Sequence, residues 1–189
     1  MKKQLILAST SKYRKELLER LALPFTAQAP LIDEENEKDP HLAPQALAEH
    51  LAFLKAQSLA GPEKVVIGGD QLISFAGHII GKSHTAEKAV EQLSAMQGKI
   101  HELITAICIF DEDRVIRHTN ITRMHMKSLS RAQLERYVQL DQATDCAGSY
   151  KIEKHGIMLF SKIESEDFTA IQGLPLIELG KILENCDLL

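Results

Sequence analysis

The chain has 189 residues, of which 44% are hydrophobic, so it can bury a normal core as one domain with room for two lobes. Its net charge of −4 argues against a general binder of nucleic-acid polymers, which is usually basic. The three cysteines, Cys108, Cys146 and Cys186, stand far apart without zinc spacing, which suits a reducing cytoplasm. No apolar run approaches a membrane span, and the strand after Met1-Lys2-Lys3 is too short for the apolar part of a signal peptide.

Gln4 to Ala8 (Q-L-I-L-A) predicts a buried strand. Ser11 then caps a helix from Lys12 to Leu21, with Leu17, Leu18 and Leu21 on one face. Ser9, Ser11, Arg14 and Lys15 gather at that helix start, where free N–H groups favour an anion. Read alone, the same residues suit an ordinary capped helix with solvated cations. Phe25 to Ala29 is a second strand, and Leu31 to Pro40 is an acidic loop. Most of that loop reads as a solvated charge run, although Asp33 or Glu34, next to the strand end, could hold a hard cation.

Pro44 to Leu59 predicts a helix with Leu47, Leu51, Leu54 and Ser58 along a stripe and Lys55 beside it. A lysine there is usually a snorkelling surface residue, but it can reach a phosphate. Val65 to Ile67 is a short buried strand that Gly68 and Gly69 follow, and Asp70 stands at its end. Leu72 to Phe75 and His78 to Ile80 read as two further strand pieces around an Ala76-Gly77 turn, and Lys82 returns a cation. A carboxylate and an ammonium on neighbouring strand ends suit water activation beside a polyphosphate. The stretch alone equally suits a buried hairpin with an exposed Asp and Lys. Ala76 to Ser83 also fits a relaxed P-loop pattern, but Ile79 and Ile80 are poor loop chemistry and the next helix begins only near Thr85.

Thr85 to Met96 is a helix and Glu102 to Phe110 an apolar strand. Val115 to Leu129 alternates as a long half-exposed strand, and Ser130 caps a helix to Leu140. Cys146 to Glu153 is too small and polar for plain core, and Ile157 to Ile163 is a strand. Gly173-Leu174-Pro175 opens a last helix through Leu183, with Pro175 in its first turn.

These segments together resemble the Maf family of nucleoside triphosphate pyrophosphatases. The resemblance rests on L-I-L-A-S-T-S-K-Y-R-K-E-L-L at 5–18, I-D-E at 32–34, L-A-F-L-K-A at 51–56 and I-G-G-D-Q at 67–71. It continues in G-K at 81–82, G-K-I-H-E at 98–102, A-G-S-Y at 147–150 and G-L-P-L at 173–176. It implies an elongated α/β fold of Maf/ITPase-like architecture: a mixed twisted sheet with flanking helices and a central cleft between two lobes. It also implies a divalent metal, Mg²⁺ or Mn²⁺, and hydrolysis of nucleotides to monophosphate and pyrophosphate. Tyr13, Gln71 and Glu153 look like the subgroup of that family acting on 7-methyl-GTP, whereas the subgroup resembling dTTP and UTP pyrophosphatases typically has Thr after the Asp and a later Y-G-I-Q-G. The chain departs from the family pattern at Lys12 and Ser83, where Pro is usual, and at Lys15, often Arg.

On this reading Asp70 activates water, directly or through the metal, and Glu34 shares the metal or water site. Arg14, Lys15, Lys55 and Lys82 hold the phosphates, and Ser9 adds a neutral donor. The positive ring of 7-methylguanine can be offset by Glu153 and stacked by Tyr13 or Tyr150, while Gln71 can donate and accept. The alternatives are a pyrophosphatase for dTTP, UTP or other modified nucleotides, and a non-catalytic regulator of septum formation. The partner expected is a small-molecule nucleotide, with no nucleic-acid polymer and no membrane, and a homodimer is compatible with the sequence.

Overall fold

The computed structural model describes residues 3–186 and Leu188. Among them the chain runs β1 (Gln4–Ala8), α1 (Lys12–Glu19), β2 (Phe25–Gln28), α2 (Pro44–Gln57), β3 (Lys64–Phe75) and β4 (His78–Ile80). It continues through α3 (Ala86–Met96), β5 (Ile100–Asp111), β6 (Arg114–Met126), α4 (Arg131–Asp141), β7 (Phe160–Glu164) and α5 (Leu176–Glu184). The strand order is β2-β1-β3-β5-β6-β7, with β4 beside β3, which makes a mixed α/β sheet of seven strands among the described residues. The fold separates into two compact units. The first holds residues up to Gln71, Thr105–Asn120 and those from Asp167 onward; the second holds Leu72–Ile104 and Ile121–Glu166.

In the first unit β1 lies between β2 and β3, parallel to both. Leu5 to Ala8 and Val65 to Ile67 are buried on both sheet faces, which explains their unbroken apolar runs. Leu17 and Leu18 of α1 and Leu179, Ile182 and Leu183 of α5 fill the core against Leu5, Leu7, Ile107 and Ile109. Helix α2 begins with Pro44 at its first turn and buries Leu47, Ala48, Leu51, Ala52, Lys55 and Ala56 along one face. Its small residues let it lie against β3 at Gly68. A Cβ at Gly68 would stand 2.2 Å from the Ala52 carbonyl oxygen and 2.5 Å from the Ala56 nitrogen, so only glycine permits this approach.

In the second unit Ile73 to Phe75 of β3 pair antiparallel with β4. Helix α3 is capped by Thr85, whose side chain accepts from the Lys88 N–H, and α4 by a capping box of Ser130 and Gln133. Strand β7 pairs antiparallel with β6, and a bulge interrupts the register at His125 and Met126.

Three expectations change. The strand does not end at Gly68-Gly69: β3 is one continuous strand from Lys64 to Phe75, because backbone pairing needs no Cβ. Asp70 is therefore a mid-strand residue. Residues 155–159 form a 3-10 turn, not strand, and β7 starts at Phe160. Pro175 occupies the position before α5, not its first turn. The rejection of a P-loop stands, since residues 78–80 are strand.

Candidate active site

Ala8 pairs with Gly68, so the chain leaving β1 at Ser9 emerges near Asp70, two residues further along β3. Ser9 is buried, and its Oγ accepts from the Ser11 N–H at 3.1 Å. Ser11 caps α1 by accepting from the Arg14 N–H at 3.4 Å. Two N–H groups of this turn are thus spent on side chains rather than offered to an anion, while the Ser9 hydroxyl keeps its own proton to donate. Arg14 is half-buried, and its Nε donates to the Gly173 carbonyl at 3.1 Å. Burial pushes its guanidinium below its ordinary pKa, and the charges of Asp70 and Glu34 pull it back in part.

Lys55 is 5% exposed and Asp70 4%. Lys55 Nζ donates to Asp70 Oδ1 at 2.7 Å and lies 2.7 Å from Glu34 Oε2. The ammonium thus joins a strand carboxylate to a loop carboxylate. Burial raises the Glu34 carboxyl, but the hydrogen bond and charge of Lys55, with Lys38 and Arg14, outweigh it and hold Glu34 below its ordinary pKa. Asp33 instead accepts from Asn36, which separates the two acidic candidates. Asp70 Oδ2 is buried with no hydrogen-bond partner. A desolvated carboxylate oxygen of this kind calls for a proton donor or a cation. Asp70 and Glu34 could therefore hold a hard divalent ion, with water and phosphate oxygens completing its shell. Among the described residues no group of three or more His, Cys, Asp or Glu forms a self-contained metal cage.

Gln71 is clamped. Its Nε2 donates to Thr105 Oγ1 at 2.9 Å and to the Ala170 and Ile171 carbonyls at 2.8 and 3.2 Å. Carbonyls only accept, so the orientation of the amide is fixed, and its nitrogen is committed to the protein. What Gln71 retains for a ligand is its carbonyl oxygen, an acceptor; the sequence had left donor and acceptor roles both open.

The first unit therefore brings Ser9, Arg14, Glu34, Lys55, Asp70 and Gln71 together, while Tyr13 and Lys15 lie exposed on the first turn of α1. Lys82, Tyr150 and Glu153 belong to the second unit. Lys82 is exposed and bridges Ala147 through its backbone, and Glu153 is exposed in a turn. Tyr150 is buried: its hydroxyl meets His101 Nε2 at 3.0 Å, and its ring packs edge-on against Phe160 at 5.0 Å. Sequence reasoning missed the Gly173 carbonyl, Thr105, and the turn that carries Ala170 and Ile171. The signal available was Asp167-x-Thr169, a local capping pattern just ahead of G-L-P.

A buried Lys between two carboxylates and an anchored Arg beside an unpartnered carboxylate oxygen make up a candidate site for polyanion chemistry on an α/β scaffold. The family profile described as Maf-like protein matches residues 4–186, and the chain belongs to that family. A Bdellovibrio bacteriovorus protein named 7-methyl-GTP pyrophosphatase is 75% identical over 186 residues, covering 98% of both chains. Proteins of the same name from Xanthomonas oryzae pv. oryzae and Pseudomonas savastanoi pv. phaseolicola are each 42% identical, over 97% and 95% of this chain and 96% and 94% of theirs.

Proposed function

We propose that this chain is a nucleoside triphosphate pyrophosphatase that hydrolyses 7-methyl-GTP to 7-methyl-GMP and pyrophosphate, removing a modified nucleotide from the pool. The observation that carries the reaction is Asp70: a buried carboxylate with one oxygen fixed by Lys55 and the other unpartnered. The names and high identity of the relatives support the substrate.

Asp70 Oδ2 accepts a proton from a water that attacks the α-phosphorus in line. The new bond is water oxygen to phosphorus, and the α–β anhydride bond breaks, with its electron pair leaving on pyrophosphate. Lys55 holds Asp70 Oδ1, so the carboxylate is oriented before substrate arrives. Arg14, fixed through Nε at Gly173, retains its terminal nitrogens for phosphate oxygens, and Ser9 adds a hydroxyl. Lys15, exposed on the first turn of α1, adds positive charge for the phosphate chain, and Lys82 keeps its phosphate role as a proposal on the G-K motif alone. Bound at Glu34 and Asp70, Mg²⁺ or Mn²⁺ would lower the pKa of water and neutralise phosphate charge. Gln71, an acceptor by its orientation, suits the N–H groups on a guanine edge. Tyr13, exposed on α1, is the candidate aromatic for the methylated ring, and Glu153, exposed in a turn of the second unit, keeps its role as counter-charge as a proposal on the sequence motif alone.

The compartment is the cytoplasm, a reading supported by three unpaired thiols at Cys108, Cys146 and Cys186. No described helix is long and apolar enough to cross a membrane. The test is pyrophosphate release from 7-methyl-GTP, GTP, dTTP, UTP and CTP with Mg²⁺ or Mn²⁺, in wild type and Glu153→Ala. A preference for 7-methyl-GTP that narrows in the variant supports the assignment. Preference for dTTP or UTP would keep the reaction and discard the substrate, and equal losses on all nucleotides would remove Glu153 from the specificity set.

A further inference from the structure

Two site residues on different elements lean on one short turn. Arg14 of α1 donates to the Gly173 carbonyl, and Gln71 of β3 donates to the Ala170 and Ile171 carbonyls. Thr105 of β5 joins them, donating to the Ala170 carbonyl at 2.9 Å while it accepts from Gln71. All three acceptors lie within or just after the 3-10 turn Phe168–Gln172, which ends on Gly173 with φ of 117°. That φ favours glycine, and a Cβ there would also meet Arg14 Cγ at 3.3 Å. Backbone angle and the approach of Arg14 both favour glycine at position 173.

The turn is in turn held by Asp167 and Thr169, which are 4% and 5% exposed. Asp167 Oδ1 accepts from the Thr169 N–H at 2.9 Å and from its hydroxyl at 2.6 Å. Asp167 Oδ2 accepts from the Ile177 N–H at 2.7 Å, and Thr169 Oγ1 accepts from the Leu176 N–H at 2.8 Å. One carboxylate and one hydroxyl therefore cap both the turn and the start of α5. The α5 core face of Leu179, Ile182 and Leu183 ties this corner to the hydrophobic core. The carbonyls that orient Arg14 and Gln71 are thereby fixed to the core rather than to a mobile loop.

We propose that Asp167 and Thr169 are positioning residues for pyrophosphate release, acting through the carbonyls of Ala170, Ile171 and Gly173 to set Arg14 for phosphate and Gln71 for the base together. This rests on the reading of Arg14 and Gln71 given above. Neither Asp167 nor Thr169 touches substrate. Loosening the turn frees the Arg14 fork and lets the Gln71 amide rotate, so phosphate affinity and base discrimination fall in step. A capping pair that served stability alone would lower the melting temperature and leave discrimination unchanged.

The experiment compares wild type, Thr169→Val, Thr169→Ser and Asp167→Asn as full chains. It measures melting temperature, KM and kcat for 7-methyl-GTP and CTP, and calorimetric binding of inorganic pyrophosphate. In Thr169→Val, pyrophosphate affinity and the 7-methyl-GTP to CTP ratio of kcat/KM should each fall about tenfold, mainly through KM, and Thr169→Ser should restore both. Asp167→Asn, which keeps the side-chain shape, should show the same paired loss and serves if Thr169→Val does not fold. Lower melting temperature with unchanged pyrophosphate affinity and unchanged ratio would overturn the proposal. If wild type releases no pyrophosphate from any nucleotide, the functional reading fails. Weakened pyrophosphate binding in the variants would still support the positioning role, and unchanged binding would sink it.

Discussion

Lys55 is held by two carboxylates, Asp70 at one side and Glu34 at the other, in surroundings that leave it 5% exposed. In the sequence it looks like an ordinary helix lysine with its charge in water, because its burial depends on a helix–strand approach that no local pattern encodes. Taking charges out of water costs several kcal/mol per ion unless pairing is good, so the buried Lys55 ammonium needs at least one of its two carboxylates to be tolerated. His101 shows the same dependence with no charge to pair. It is 1% exposed, its Nδ1 has no partner, and burial pushes its pKa down to about 4. The unfolded chain takes up a proton near the ordinary value of 6.5, whereas the folded chain resists until about 4. Between those values the unfolded state binds more protons, so stability is lost as pH falls, by about 3 kcal/mol once both states are protonated. A non-titrating His101→Gln variant should therefore lose less stability than wild type as pH falls from about 6.5 to about 4, read from urea midpoints. Parallel curves for the two proteins would count against a buried neutral imidazole.

Gly68 connects element packing to chemistry. Helix α2 presses its Ala52 and Ala56 backbone onto β3 at that glycine, and Lys55 is the neighbour of Ala56. In Gly68→Ala the added methyl meets helix backbone rather than a flexible side chain, so α2 must move away. The expected cost is about 1–3 kcal/mol, with a fall in kcat/KM as Lys55 leaves Asp70. Wild-type melting temperature together with wild-type activity would show that the approach is looser than described. The sequence marked the glycine pair as a place for close approach but ended the strand there, since Gly weakens strand propensity while leaving pairing intact. The caps at Ser11, Thr85 and Ser130 were legible because each is a local side-chain pattern. The 3-10 turn at 155–159 was not, since H-G-I-M-L contains a short apolar run that suits strand equally well.

At the scale of the molecule, the order of motifs along the chain carried the α/β class, which holds in the structure, and the family, which the profile match over residues 4–186 bears out. Distances between motifs were beyond the sequence. Arg14 and Gly173 are far apart in the chain yet hydrogen-bonded, and Gln71 reaches the 170–171 carbonyls across the same unit. The first unit thereby collects the acid, the ammonium and the guanidinium on parallel strands and their following helices. The central claim is that the unpartnered Asp70 oxygen takes the proton of the attacking water. In Asp70→Asn, Lys55 keeps Glu34 as a partner, so the variant should fold. The most direct measurement is the single-turnover rate of pyrophosphate release from saturating 7-methyl-GTP, in wild type and Asp70→Asn, at matched circular dichroism and melting temperature. The expected rate falls about 10²–10⁴-fold in the variant; a wild-type rate from the folded variant would contradict the account.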